Sequence, residues 1–281
     1  MKPYLKRAWA EISLSALEAN IRAISASLQG NTQIMAVVKA DAYGHGEAEI
    51  LQKLTQIGVR YFAVSNLDEA LHVRQYCPDS DVLILGYTPP EYADTLAQNN
   101  IIQGIVSAEY ACTLNARTRT PIRCHVKLDT GMGRIGITGD TPGDCADSIQ
   151  DMSFLRNLKI EGIYTHFAVA DMPDDPEQNA YTEAQKQFIR SVGTELMKRG
   201  VHLKHLHYLN SAGVLYHNDA NSTLARVGII MYGLAPNYPL PVPLDLKPVL
   251  SLKAVISHIK RVQPGTSISY GRQFFTTRPS R

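Results

Sequence analysis

The stretch "AVVKADAYGHG", residues 36–46, decides the reading of the chain. Its Ala-Val-Val reads as the end of a buried strand, and it runs straight into Lys39. A lysine at that point either carries its ammonium out to water or does chemistry. Behind it come Asp41, Tyr43 and a histidine held between two glycines.

Working outward, strand-like runs recur at 35–40, 60–65, 81–86, 101–107, 123–129, 159–166, 202–209 and 223–229. Helical patterns lie between them. Leu14, Leu17, Ile21, Ile24 and Leu28 repeat at spacings of 3 and 4. Ser15 with Glu18 fits a capping box there, Asn66 suits an N-cap, and Thr182 with Gln185 suits the start of a long helix through Phe188, Val192 and Leu196. Eight strands alternating with helices predict an α/β fold, a TIM-type (β/α)8 barrel. A doubly wound sheet remains the alternative, because strand order is not written in a sequence. After "MYGLAP" the character changes: "APNYPLPVPLDLKPVL" holds five prolines in 16 residues, a linker-like composition. Beyond it, "VLSLKAVISHIKRV" and "TSISYGRQFF" read as strands around a Pro-Gly turn. The expected organisation is a barrel over residues 1–240 and the incomplete start of a β-rich domain over 241–281.

Bulk properties exclude several classes. The 281 residues are 44% hydrophobic and 19% charged, with a net charge of +2, too small a charge to argue for nucleic acid or an anionic membrane surface. The N-terminus has no apolar signal core, and no window has the length of a membrane span. Cys77, Cys112, Cys124 and Cys145 form no C-x-x-C pair, so free thiols in a reducing cytoplasm are expected, with no metal site.

Barrel enzymes carry their chemistry at the C-terminal ends of the strands, and there the unusual residues gather. Strand 1 ends at Lys39, with Tyr43 beyond it. Strand 5 carries Lys127 and enters "DTGMGRIG" with Arg134; strand 6 ends on His166. Strand 7 ends at Asn210 and Ser211, and strand 8 carries Arg226 and ends at Gly228 and Ile229. Each has an ordinary alternative: a solvated lysine, a core histidine, a Lys127–Asp129 pair, a helix cap at 210–211, a flexible Gly-Met-Gly turn, a strand-end ion pair at Arg226. Their concentration on one rim argues for a site. The loops after strands 7 and 8 offer the Ser211 hydroxyl and the amides of Gly228 and Ile229 to a phosphate. A lysine on the adjoining strand suggests a Schiff base with pyridoxal 5'-phosphate (PLP).

"AVVKADAYGHG" resembles the cofactor-lysine signature of the alanine racemases, PLP enzymes with a fold type III barrel. "KLDTGMGRIG", "YTHFAVADMPDD", "HYLNSAG", "ARVGIIMYG" and "SISYGRQF" resemble further blocks of that family, in the same order, from Trp9 to the last residue. The resemblance implies that Lys39 links to PLP and acts as one acid/base, with Tyr270 as the second, reaching into a partner subunit's site. It implies that Arg134 contacts the cofactor's phenolic oxygen and the substrate carboxylate, held by Lys127 as a possible carbamate. His166 would stack beside the ring and relay to Tyr270, Arg226 would meet the pyridine nitrogen, and Asn210 the phenolic oxygen. Tyr43, Ser211, Gly228 and Ile229 would hold the phosphate. The implied function is two-base interconversion of L- and D-alanine by a cytoplasmic homodimer, supplying D-alanine for peptidoglycan. The family's β-domain continues beyond "TTRPSR", so the chain is expected to be truncated and weakly active or inactive. The alternatives are a PLP-carrier protein of the same barrel type, a racemase for another small amino acid such as serine, and a PLP decarboxylase of related fold.

Overall fold

The computed structural model describes residues 7–235 and 244–281. They fall into two compact units, one spanning Ser13–Val249, the other joining the N-terminal strand to Leu250–Arg281. The expected boundary at 240/241 lies outside the described residues.

Strand β1 (Ala8–Ile12) belongs to the smaller unit, and the barrel strands are β2 (Gln33–Val37), β3 (Tyr61–Val64), β4 (Asp81–Ile84), β5 (Ile101–Ile105), β6 (Ile122–Lys127), β7 (Leu158–Tyr164), β8 (His205–His207) and β9 (Leu224–Val227). They pair in the order β8-β7-β6-β5-β4-β3-β2-β9, parallel throughout. Two hydrogen bonds join the ends of the series: Thr223 N to Leu206 O at 2.8 Å and Arg226 N to Leu209 O at 2.9 Å. The doubly wound alternative is thereby excluded. Among the described residues every barrel strand but β9 is followed by at least one α-helix, as parallel pairing requires. Met35, Val37, Ala63, Leu83, Ile102 and Leu224 form an apolar cluster in the core.

Two caps differ from expectation. Helix Leu14–Ser27 is capped by Ser13, whose side chain accepts from Ala16 N, not by Ser15. The long helix, Pro176–Lys198, starts a full turn and more before Thr182, because Asp175 caps it and Pro176 opens it; Thr182 sits inside and donates to Gln178 O. Asn66 does cap Leu67–Tyr76, accepting from Glu69 N at 3.0 Å.

Near the N-terminal ends of β4, β6 and β7 an ion network braces the barrel. Arg123 bonds Asp81 at 2.5 Å and Glu161 at 2.8 Å, and Lys159 adds a second cation to Glu161 at 2.8 Å. In the smaller unit β1 pairs antiparallel with β10 (Leu250–Ala254), Ala8 opposite Ala254 and Ile12 opposite Leu250. Strands β11 (Ser267–Ile268) and β12 (Phe274–Phe275) form a second antiparallel pair. Tyr270 lies in the short 3₁₀ turn between them and is fully exposed.

Candidate active site

The strands' C-terminal ends open into a cavity of about 490 Å³. Every residue singled out from the sequence lines it except Tyr270, which belongs to the smaller unit.

Strand β2 ends at Val37, so Lys39 lies just past the strand, on a turn of unusual hand. Ala40, Asp41, Ala42 and Tyr43 all have φ between 51 and 56°. Four consecutive left-handed residues other than glycine cost about 1–2 kcal/mol each, so surrounding contacts must hold the turn. Glu69 Oε1 accepts from Ala40 N at 2.8 Å, and Asp41 Oδ1 accepts from Glu47 N at 2.7 Å. The turn leaves Lys39 Nζ 5.8 Å from the centre of the Tyr43 ring. It also brings the Tyr43 hydroxyl to Gly228: a Cβ there would lie 3.0 Å from that oxygen and 3.7 Å from Ser211 Oγ. Gly228 N itself donates to Ser211 Oγ at 3.1 Å. The glycine keeps open a cradle walled by two hydroxyls.

Arg226 is 3% exposed, yet among the described residues no carboxylate holds it. Nη1 donates to His207 Nδ1 at 2.9 Å and to His207 O at 3.1 Å; Nη2 donates to Thr165 O at 2.5 Å and Tyr208 O at 3.3 Å. The strand-end ion pair is therefore not what forms. Burial lowers the guanidinium to about 10, which still leaves it charged at neutral pH. Because arginine only donates, His207 Nδ1 must be the unprotonated nitrogen. Its Nε2–H then donates to His125 Nδ1, 2.9 Å away. Burial, then Arg226, holds His207 well below the usual imidazole range. The Tyr164 ring stacks on His207 at 5.1 Å and lies 5.5 Å from the Arg226 guanidinium and 5.8 Å from Lys127 Nζ.

Lys127 is buried and donates to Leu128 O at 2.6 Å rather than to Asp129. Burial, then Arg226, pushes its ammonium down to about 8. Asp129 organises the glycine-rich loop, taking the amides of Gly131, Gly133 and Arg134 at 3.0–3.1 Å. Gly136, at φ 130°, closes that loop against the strand: a Cβ there would meet Asp129 N at 2.7 Å. His166 lies two residues past β7, its imidazole lowered to about 3 by burial and then by Arg226, Arg134, Lys127 and Lys39. It is neutral at pH 7. Asn210 is first of all a helix cap: Oδ1 accepts from Gly213 N at 2.8 Å and Nδ2 donates to Phe167 O at 3.3 Å.

The sequence reading missed the support for Arg226. His207, His125 and Tyr164 are fully or almost fully buried. The signal was present in "HLKHLHYL", where His205 and His207 stand two apart and so share one strand face.

A cationic, lysine-bearing cavity with a hydroxyl-lined cradle at the mouth of a (β/α)8 barrel is the architecture of a barrel enzyme. Comparison with known proteins narrows the class. The sequence profile described as "Alanine racemase, N-terminal domain" matches residues 12–236. The alanine racemase of Clostridium tetani is 39% identical over the whole chain, which covers 72% of that relative. An amino-acid racemase of Enterococcus faecalis is 37% identical over 95% of the chain, which spans only 37% of that protein. Among solved structures, the alanine racemase of Clostridium difficile 630 superposes with a TM-score of 0.86 at 34% identity, covering 99% of this chain and 72% of that one. A histidine racemase of Leuconostoc mesenteroides superposes with a TM-score of 0.84 at 28% identity, covering 99% and 73%. The chain belongs to the alanine racemase family.

Proposed function

We propose that this cavity binds PLP on Lys39 and serves the racemisation of a small amino acid, alanine first. The observation that carries the reading is the convergence of Lys39, the Tyr43–Ser211–Gly228 cradle and the charged Arg226 in one cavity. The cradle's donors suit a phosphate, and its width depends on Gly228 having no side chain. Arg226 suits the pyridine nitrogen as a permanent donor: its present partners are all neutral acceptors. Arg134 would meet the phenolic oxygen and the substrate carboxylate. Asn210 would offer the phenolic oxygen its second Nδ2 hydrogen, and Ile229 would add its amide to the phosphate.

When bound, PLP supplies an electron sink for the charge left by removal of the substrate's Cα proton. Inversion then needs one proton acceptor and one donor on opposite faces of that carbon. Lys39 Nζ is the group on one face. Tyr270 of a second copy, in a homodimer, is the group on the other; its full exposure leaves its hydroxyl available to another chain. The proton leaves to one residue, and the other returns a proton from the opposite side. Neutral His166, among four cations, can pass a proton toward Tyr270 without carrying charge. Arg226 has no carboxylate among its partners and keeps its own proton, so it would donate a hydrogen bond to the pyridine nitrogen without protonating it; PLP held this way would be a mild sink, with fewer protons returned to the wrong carbon. The depressed ammonium of Lys127 makes a neutral amine available for carbamylation, and the resulting anion would hold Arg134. A cytoplasmic supply of D-alanine for peptidoglycan belongs to the same reading.

The test is the absorbance spectrum of the chain with added PLP before and after borohydride, beside Lys39→Ala. A borohydride-sensitive visible band in the parent and none in the variant supports the reading; equal bands overturn it. Exchange of the Cα hydrogen in D₂O, measured on alanine, serine and histidine, then ranks the substrates. The histidine racemase likeness makes that comparison informative.

A further inference from the structure

His45, between two glycines in the opening stretch, has no part in the scheme above. Its ring meets both chain segments that carry the cradle. Nδ1 lies 3.0 Å from Ala42 O and 3.1 Å from Tyr43 O, the last carbonyls of the left-handed turn. Both are acceptors, so Nδ1 carries the proton. The same ring stacks on Tyr232 at 4.2 Å and 22°. Tyr232 ends the 3₁₀ turn Ile229–Tyr232, which Gly228 opens, and its ring also meets Tyr43 at 5.5 Å. The flanking glycines stand at φ 79° and 83°, so the chain leaves the left-handed turn and starts the helix Glu47–Gln56 within two residues of the imidazole.

We propose that His45 is a positioning residue for the cofactor's phosphate, hydrogen-bonding the turn that carries Tyr43 and stacking on the turn that carries Gly228, so that one side chain sets the width of the cradle. This rests on the reading of that cradle as the phosphate site. His45 does not line the cavity; it acts through Tyr43, which does.

The test compares the dissociation constants of PLP and of pyridoxal, which lacks the phosphate, for the parent, Tyr43→Phe, His45→Phe, His45→Asn and the Tyr43→Phe/His45→Phe double variant. Phenylalanine keeps the ring and removes the donor; asparagine keeps a donor at the Nδ1 position. His45→Phe should cut the preference for PLP over pyridoxal by about tenfold, roughly 1.4 kcal/mol, as Tyr43→Phe should. The double variant should lose no more than either, since both changes act on one contact. His45→Asn should recover most of the preference. Equal weakening of both ligands, an unchanged preference, or losses that multiply would overturn the proposal. A second readout needs no ligand: ¹⁵N-imidazole spectra of the free chain should show His45 protonated at Nδ1, and an Nε2-protonated ring overturns the clamp. A parent without preference for PLP overturns the cradle reading and the proposal with it, whereas a parent with preference and an insensitive His45→Phe overturns the proposal alone.

Discussion

Glu161→Gln tests how the barrel separates stability from chemistry. Glu161 receives Arg123 Nε and Lys159 Nζ, each at 2.8 Å, and is 7% exposed. Burial raises its carboxyl, but the Arg123 and Lys159 hydrogen bonds outweigh burial and bring it from 4.5 to about 2. At about 1.4 kcal/mol per pH unit, this favours the folded state by about 3 kcal/mol at neutral pH, counted once on the carboxylate. The folded value is the lower one, so the contribution is complete above 4.5 and is lost as the pH falls through about 2. Glutamine keeps an acceptor but no charge. We expect the melting temperature of Glu161→Gln to lie about 6–12 °C below the parent at pH 7, with the two converging as the pH drops from about 4.5 toward 2. PLP affinity at low temperature should be unchanged, since this network lies toward the strands' N-terminal ends. Melting curves by circular dichroism across that range decide it. A gap that is constant with pH, or absent at pH 7, would refute the reasoning.

Gly136→Ala should cost about 2–4 kcal/mol, because its Cβ would meet three backbone atoms of Lys127–Asp129 within 3.0 Å at a φ of 130°; an unchanged urea midpoint would count against it. Carbamylation of Lys127 should follow its depressed ammonium. ¹³C-bicarbonate should label the chain strongly above about pH 8 and weakly near pH 6.5, and Lys127→Arg should abolish the signal. His166 should show no titration in proton NMR between about pH 5 and 8, since its imidazole is held near 3 by burial and four cations; a midpoint near 6.5 would mean the ring is solvated.

Much of the fold was legible because its signals are local. Strands β2, β3 and β4 are short, mostly apolar runs, and such runs are what a parallel sheet buried on both faces requires. The rim was legible for a related reason. Lys39, His166 and Arg226 interrupt or end runs that are otherwise apolar, and such interruptions stand out. What stayed hidden depends on contacts between distant segments. Ser15 and Thr182 fit capping patterns as well as Ser13 and Asp175 do, and only the entry of the chain into each helix chooses between them. Strand β1 pairs with β10 across about 240 residues, which no local pattern records. The left-handed turn at Ala40–Tyr43 contradicts local preference outright, since only surrounding hydrogen bonds select it.

That contradiction says where the molecule holds strain. The opening stretch carries a turn that L-residues avoid, and close by Arg226 lies buried without an anionic partner. Both features disfavour folding, and both face the same cavity. The opposing contributions come from elsewhere: the apolar core cluster and the Arg123 network. An enzyme whose ligand is an anion gains from this division. The binding end keeps a positive charge that only neutral acceptors meet, and an anionic ligand would relieve what folding alone left unrelieved. The unligated chain should therefore gain more stability from PLP than from pyridoxal, because only the former brings the phosphate to the cradle that the strained turn holds open.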